Sequence, residues 1–298
     1  MTTATLSAGT PQVSAHFPSH KLTFLGAVRG EAIKFRTLAT NWIMLAVTLL
    51  IMVGMGAMFA VVINQMYESA LAAQEAVATG AAPVAGPTVD NVYNYARGIG
   101  DSGMMFGSML VASIAVVFIG SEYASRQINT TLTTVPRRTA TYLAKLLVVS
   151  FWTFFIGFIS AALSYGVAQL LLDSRITEAV TVNGDVVSNW VAVGLYCMLM
   201  SWMGLGFGTL LRNNAGGIVL VVVVMFILSI AMNMVAGASE MIQDFVPYLP
   251  MALGQTFTTV GVADDAAITN LEAGLWLSVW CLIPALLGWA RLALTDSK

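Results

Sequence analysis

Six stretches of the chain, residues 41–63, 103–120, 140–172, 190–211, 215–235 and 273–290, are apolar for long enough to cross a lipid bilayer. At about 1.5 Å of rise per residue, roughly 20 helical residues cover a hydrocarbon core about 30 Å thick. A backbone inside lipid must satisfy its own polar groups, so runs of this length dictate helices. The expected fold is an all-α integral membrane protein of six transmembrane helices. Composition leaves little else: 58% of residues are hydrophobic and 9% charged, against about 25% charged in soluble domains. There is no room for an appended catalytic domain, and residues 21–298 read as one transmembrane domain. Residues 1–20, rich in Ser, Thr, Pro and His, hold no cation followed by an apolar core and read as a disordered tail rather than a cleavable signal.

The connecting segments refine this outline. Between residues 21 and 38, Phe24, Leu25, Val28, Ala32 and Phe35 share one helical face, with Arg29, Lys34 and Arg36 off it. This is either an interfacial amphipathic helix or the start of the first span. Residues 65–100 are expected to be a loop with at most one short Ala-rich helix. Gly103 and Gly107 stand at the GxxxG spacing that lets helices approach closely. Arg212, Asn213 and Asn214 make a tight turn between spans four and five. Residues 241–257 are moderately apolar but interrupted by Pro247, Pro250 and Gly254, which predicts a re-entrant or interfacial hairpin. Pro284 is expected to kink the last span. Cys197 and Cys281 lie in apolar runs and fit neither a disulfide framework nor zinc-ligand spacing.

Cations set the orientation. Of 13 Lys and Arg residues, all but Arg97 and Arg175 fall on alternate connectors. The positive-inside bias then puts both termini, and residues 121–145 between spans two and three, in the cytoplasm of a multi-pass protein of the cell membrane. On this reading Tyr142 and Lys145 snorkel to the interface.

Several chemistries find no residues. There is no GxxxxGK[ST] loop to cradle phosphate. His16 and His20 are four apart but lack a thiol or carboxylate partner, so no metal site is expected. No Ser, His and acid converge, and ionisable residues are nearly absent from the span interiors, which argues against an intramembrane hydrolase or a proton-coupled carrier. No enzyme activity, cofactor or nucleic-acid partner is expected on this chain. Asn129-Thr130-Thr131 matches a glycosylation acceptor but lies on the cytoplasmic side. In span five Met225, Ser229, Met232 and Asn233 recur at helical spacing. They could line a path for an amphipathic substrate, or simply serve helix packing.

That leaves residues 121–145 as the distinctive polar stretch. A surface helix there could dock into a partner groove with Tyr123, Ile128 and Leu132 as apolar anchors, while Glu122 and Arg126 pair with partner charges. Pro136 would end it. Arg137, Arg138 and Lys145 would then meet anionic headgroups, or act only as topology determinants.

At Gly120-Ser121-Glu122-Tyr123, Arg126, Thr130-Thr131-Leu132, Val135-Pro136-Arg137-Arg138 and Lys145, the sequence resembles the permease subunits of type-2 ABC transporters, particularly actinobacterial exporters. Glu31, Lys34, Arg36 and Trp42 resemble that family's N-terminal segment, and Leu249-Pro250-Met251-Ala252-Leu253-Gly254-Gln255 its external hairpin. Where the family often has Gly-Thr after Glu-Tyr, this chain has Arg126-Gln127-Ile128, so the helix is expected to be more continuous. The resemblance implies a dimer with a second copy or a similar permease. Each permease would engage a cytoplasmic ATP-binding subunit, which holds ATP and Mg, through a coupling helix. Glu122, Tyr123, Arg126, Ile128, Thr131, Leu132, Pro136, Arg137 and Arg138 would form that coupling surface. Export of an amphipathic drug, lipid or peptide is the expected activity. The other reading is a non-transporting membrane scaffold or an immunity-type partner-binding protein.

Overall fold

The computed structural model describes residues 23–80, 86–125, 127, 138–261 and 267–294. These residues form helices and turns, with no strand among them. The N-terminal tail and much of the expected coupling surface, namely Arg126, Ile128, Thr131, Leu132, Pro136 and Arg137, lie outside the described residues.

Helix α1 (Phe24–Thr37) is capped by the Thr23 hydroxyl, which accepts from the Gly26 amide at 3.2 Å. It is a helix in its own right, separated from α2 (Ala39–Ala78) by an extended Leu38. Its last carbonyls, which have no partner inside the helix, accept from α2 instead. Asn41 Nδ2 donates to the Phe35 carbonyl at 3.0 Å and Trp42 Nε1 to that of Arg36 at 2.9 Å. The face it buries differs from the expected stripe: Phe35 and Glu31 are buried, while Phe24 and Leu25 are exposed.

Helix α2 is much longer than a span requires. Residues expected to form a loop after Gln65 continue it to Ala78. Ala, Leu, Gln and Glu dominate there and are strong helix formers. Tyr67 and Ala70 also bury against Val92 and Ala96 of α3 (Val89–Arg97) and against Ile176 of a short α6 (Ser174–Ala179). A 3₁₀ turn, Ile99–Asp101, leads into α4 (Met104–Ala124), followed after residues 126–137 by α5 (Arg138–Leu171). Then come α7 (Gly184–Leu211), α8 (Asn214–Val222), a π-helical turn Val223–Ile227 and α9 (Leu228–Val235). The predicted hairpin region forms α10 (Glu240–Phe245), a 3₁₀ turn Val246–Tyr248 and α11 (Pro250–Thr258). Finally α12 (Asn270–Leu294) runs through Pro284 without interruption. Six helices, α2, α4, α5, α7, the α8–α9 unit and α12, are long and apolar enough to cross a membrane.

The bundle is built around α7, which packs against α4, α5 and α12. Its small residues permit this. Gly204 lies on the backbone of Ala112 in α4, Gly206 on that of Pro284 in α12, and Gly194 against the Phe154 carbonyl of α5. The Gly103–Gly107 pair is used in the same way, as both residues abut Met52 of α2. Cys197 and Cys281 are both free, buried thiols, and Cys281 belongs to the core cluster around α7.

Candidate functional site

The last turn of α4 brings together what the sequence leaves scattered. Glu122 is 4% exposed, and its Oε1 accepts from Lys145 Nζ of α5 at 2.6 Å and from Lys34 Nζ of α1 at 3.0 Å. Glu31 of α1 completes the cluster, its Oε2 at 2.6 Å from Lys145 Nζ and its Oε1 at 2.9 Å from Lys34 Nζ. Two carboxylates and two ammonium groups thus form a neutral ring. Lys145 is fully enclosed, and its Nζ lies 4.7 Å from the centroid of the Phe118 ring.

This corrects two expectations. Tyr142 and Lys145 do not snorkel: both are buried, and the Tyr142 hydroxyl donates to the Ala285 carbonyl at 2.8 Å. Glu122 does not face outward to a partner's charge, because two lysines of its own chain occupy it. The physical reason is common to both. A charge this deep is tolerated only with opposite charges around it, and these sit on α1 and α5. Burial pulls the Lys34 ammonium downward, but the Glu31 and Glu122 carboxylates more than offset this and hold its pKa above the ordinary value.

Tyr123, one residue on, is held from another direction. The Arg212 guanidinium lies 5.7 Å from the centroid of its ring. Arg212 ends α7 with a left-handed backbone (φ 53°), and Asn213 then caps α8 by accepting from the amides of Ala215 and Gly216. On the far side of residues 126–137, Arg138 Nη1 donates to the Leu292 carbonyl at 3.4 Å, and Trp289 Nε1 to Thr139 Oγ1 at 3.1 Å. The stretch leaving α4 is therefore tied at its start to α1, α5 and the α7–α8 turn, and at its end to α12.

A second site lies at the opposite end of α4. A cavity of about 430 Å3 is lined by Met55 of α2, Met104 of α4, Tyr196 of α7, Met225 and Phe226 of the π turn, and Met251 of α11. Asp101 also lines it, and its Oδ2 accepts from Thr258 Oγ1 of α11 at 3.1 Å. Of the four span-five residues with a predicted pathway role, Met225 reaches this cavity; Ser229, Met232 and Asn233 do not. Ser229 Oγ donates to the Met225 carbonyl at 2.9 Å and Asn233 Nδ2 to the Ser229 carbonyl at 2.8 Å, so both spend their polarity on their own helix.

Sequence reasoning passed over Asp101, an acid between the expected loop at residues 65–100 and the start of span two. Burial pushes its carboxyl up to about 7, partly opposed by the hydrogen bonds from Thr258 and from its own backbone. An unfolded Asp releases its proton near pH 4. Between those values the folded chain binds more protons, so stability falls as pH rises, and the full penalty stands above about 7. The thermal midpoint of the detergent-purified protein is expected to be higher at about pH 6 than at about pH 8. Asp101→Asn keeps an acceptor for Thr258 and should raise the midpoint at the higher pH. A fall in the midpoint of that variant would count against the assignment.

Comparison with protein-family models, with curated proteins and with solved structures finds no match. The class is therefore defined by the fold itself: a helical chain with, among the described residues, six helices long and apolar enough to span a membrane, the make-up of a multi-pass membrane protein. At one end of the bundle is a buried ring of charges, and at the other a methionine-rich cavity.

Proposed function

We propose that the chain is the membrane-spanning permease subunit of an ATP-driven exporter. It forms the translocation path as a dimer, with a separate ATP-binding subunit supplying the energy. One observation carries the reading: both ends of the segment at residues 126–137 are fastened to four different parts of the bundle. A partner that moves this segment by a few ångströms would move α1, α5, the α7–α8 turn and α12 together. Such a lever suits a chain that has no phosphate-binding loop and must take its work from outside. The cation distribution supports a cytoplasmic position for the lever and both termini, with α10 and α11 as a re-entrant external hairpin.

The internal use of Glu122 changes how docking is divided. Glu122 and Arg138 act as the fastenings, and Tyr123 as their companion under Arg212. Contact with the ATP-binding subunit falls to Ile128 and Leu132, with Arg126, Thr131, Pro136 and Arg137 around them. Transport then follows a shift of population between inward- and outward-open arrangements, driven by the partner's closure on ATP.

The test uses Ile128→Asp with Leu132→Asp, because changing Glu122 would disturb the charge ring as well. Purified together with the ATP-binding subunit from an adjacent reading frame, wild-type chain should co-elute and support ATP-dependent flux in vesicles. The double variant should keep the thermal midpoint of wild type and lose both co-elution and flux. Undiminished co-elution of the double variant would refute the docking assignment, and binding without flux in wild type would point to a scaffold.

A further inference from the structure

We propose that the cavity at the Asp101 end of α4 is a binding site for a lipophilic cation, with Asp101 as counter-charge. The site belongs to this chain alone and stands whether or not an ATP-binding subunit docks at the other end.

Its size is the first argument. About 430 Å3 falls within the roughly 300–1,000 Å3 typical of small-molecule sites. Its walls are the second. Methionine is unbranched and polarisable, so five methionines, Met55, Met104, Met105, Met225 and Met251, can adapt to bulky apolar groups of varied shape. Phe106 and Tyr95 stand at the exposed side of the same cavity, 43% and 54% accessible, where aromatic faces attract a cation. The third argument is charge. Asp101 is the one acidic residue among the described lining residues, and no Lys or Arg forms an ion pair with it among the described residues. The nearest cation in sequence, Arg97, directs its guanidinium to Asn94 Oδ1 at 2.9 Å. A mostly apolar site whose one charged lining group is a carboxyl attracts cations and repels anions of the same shape.

Among the described residues that line the cavity, Asp101 is the one carboxyl. Helix α3 brings Tyr95, with Arg97 two residues on, and α7 brings Tyr196. Helix α2 contributes Met52, Met55 and Phe59, and α11 contributes Met251, Gln255 and Thr258.

The experiment is equilibrium binding of radiolabelled tetraphenylphosphonium to the full chain in nanodiscs of zwitterionic phosphatidylcholine, with empty nanodiscs subtracted. Tetraphenylborate, an anion of similar shape, is the comparison ligand. Saturable binding of the cation and none of the anion is expected. Affinity for the cation should drop about tenfold or more on Asp101→Asn. It should also fall in wild-type protein as pH is lowered from about 8.5 to about 5.5, because the protonated carboxyl is neutral. The titration needs no altered chain, so it holds even if the variant folds poorly. Met105→Trp, which narrows the accessible side, should also weaken binding. Equal binding of anion and cation, cation affinity within about twofold in Asp101→Asn, or affinity independent of pH would each overturn the proposal.

Discussion

Replacing Lys145 with methionine is expected to destabilise the protein by about 3–5 kcal/mol, the usual cost of removing one partner from a buried ion pair. The size of the effect follows from the geometry. Lys145 Nζ is within 2.6 Å of both Glu31 and Glu122, and its side chain is fully enclosed. Without it, two buried carboxylates share one remaining ammonium, that of Lys34, whose side chain is 37% exposed. Glu122 Oε2 already has no hydrogen-bond partner among the described residues, which adds to the deficit. The triple change Glu31→Gln, Glu122→Gln and Lys145→Met removes the three most buried charges together and should be far milder than the single one. Thermal unfolding followed by size-exclusion of the detergent-purified variants checks this. If the losses for single and triple variants simply add, the ring is not a coupled unit.

Gly204→Val and Gly206→Val should be nearly as damaging, at about 3 kcal/mol or more each, the upper end for overpacking. A Cβ at Gly204 would lie inside the backbone of Ala112, and one at Gly206 inside that of Pro284. Neither neighbour can swing aside, because both are main chain of packed helices. Gly166 is the control, since a Cβ there meets nothing within 4 Å. Gly166→Ala should leave the midpoint unchanged or raise it, as alanine is the better helix former. The same unfolding assay separates the three, and equal behaviour of Gly166→Ala and Gly206→Val would remove the close-packing account.

How much of this was legible in the sequence differs by physical cause. The six long apolar helices are legible because lipid imposes a length and a backbone rule that hydropathy alone reports. The continuation of α2 to Ala78 was hidden by polarity: Gln74 and Glu75 are good helix formers but break the apolar run, and it is Tyr67 and Ala70 burying against α3 that hold the helix there. The charge ring was visible only as four separate residues. Glu31 and Lys145 are 114 positions apart, and no periodicity connects them. What could have flagged them is neutrality, two acids and two lysines at the same predicted membrane level on neighbouring segments. Asp101 gave no such sign, since its setting depends on Thr258, 157 residues away.

Span five holds one more consequence. Its buried residues, Gly217, Val221, Met225 and Ser229, are four apart throughout. In an ideal α-helix each step of four overshoots a full turn by about 40°, so three steps would carry the last residue roughly 120° around the axis. The π turn at Val223–Ile227 widens the helix midway and takes back that overshoot, as an extra day realigns a calendar. Removing one residue from the turn ahead of Ser229 would let the helix close into a regular form with Ser229 eleven positions after Gly217, within about 20° of its phase. Straightening the turn with all its residues kept would instead carry Ser229 roughly 120° around from Gly217 and off the face that the bundle buries.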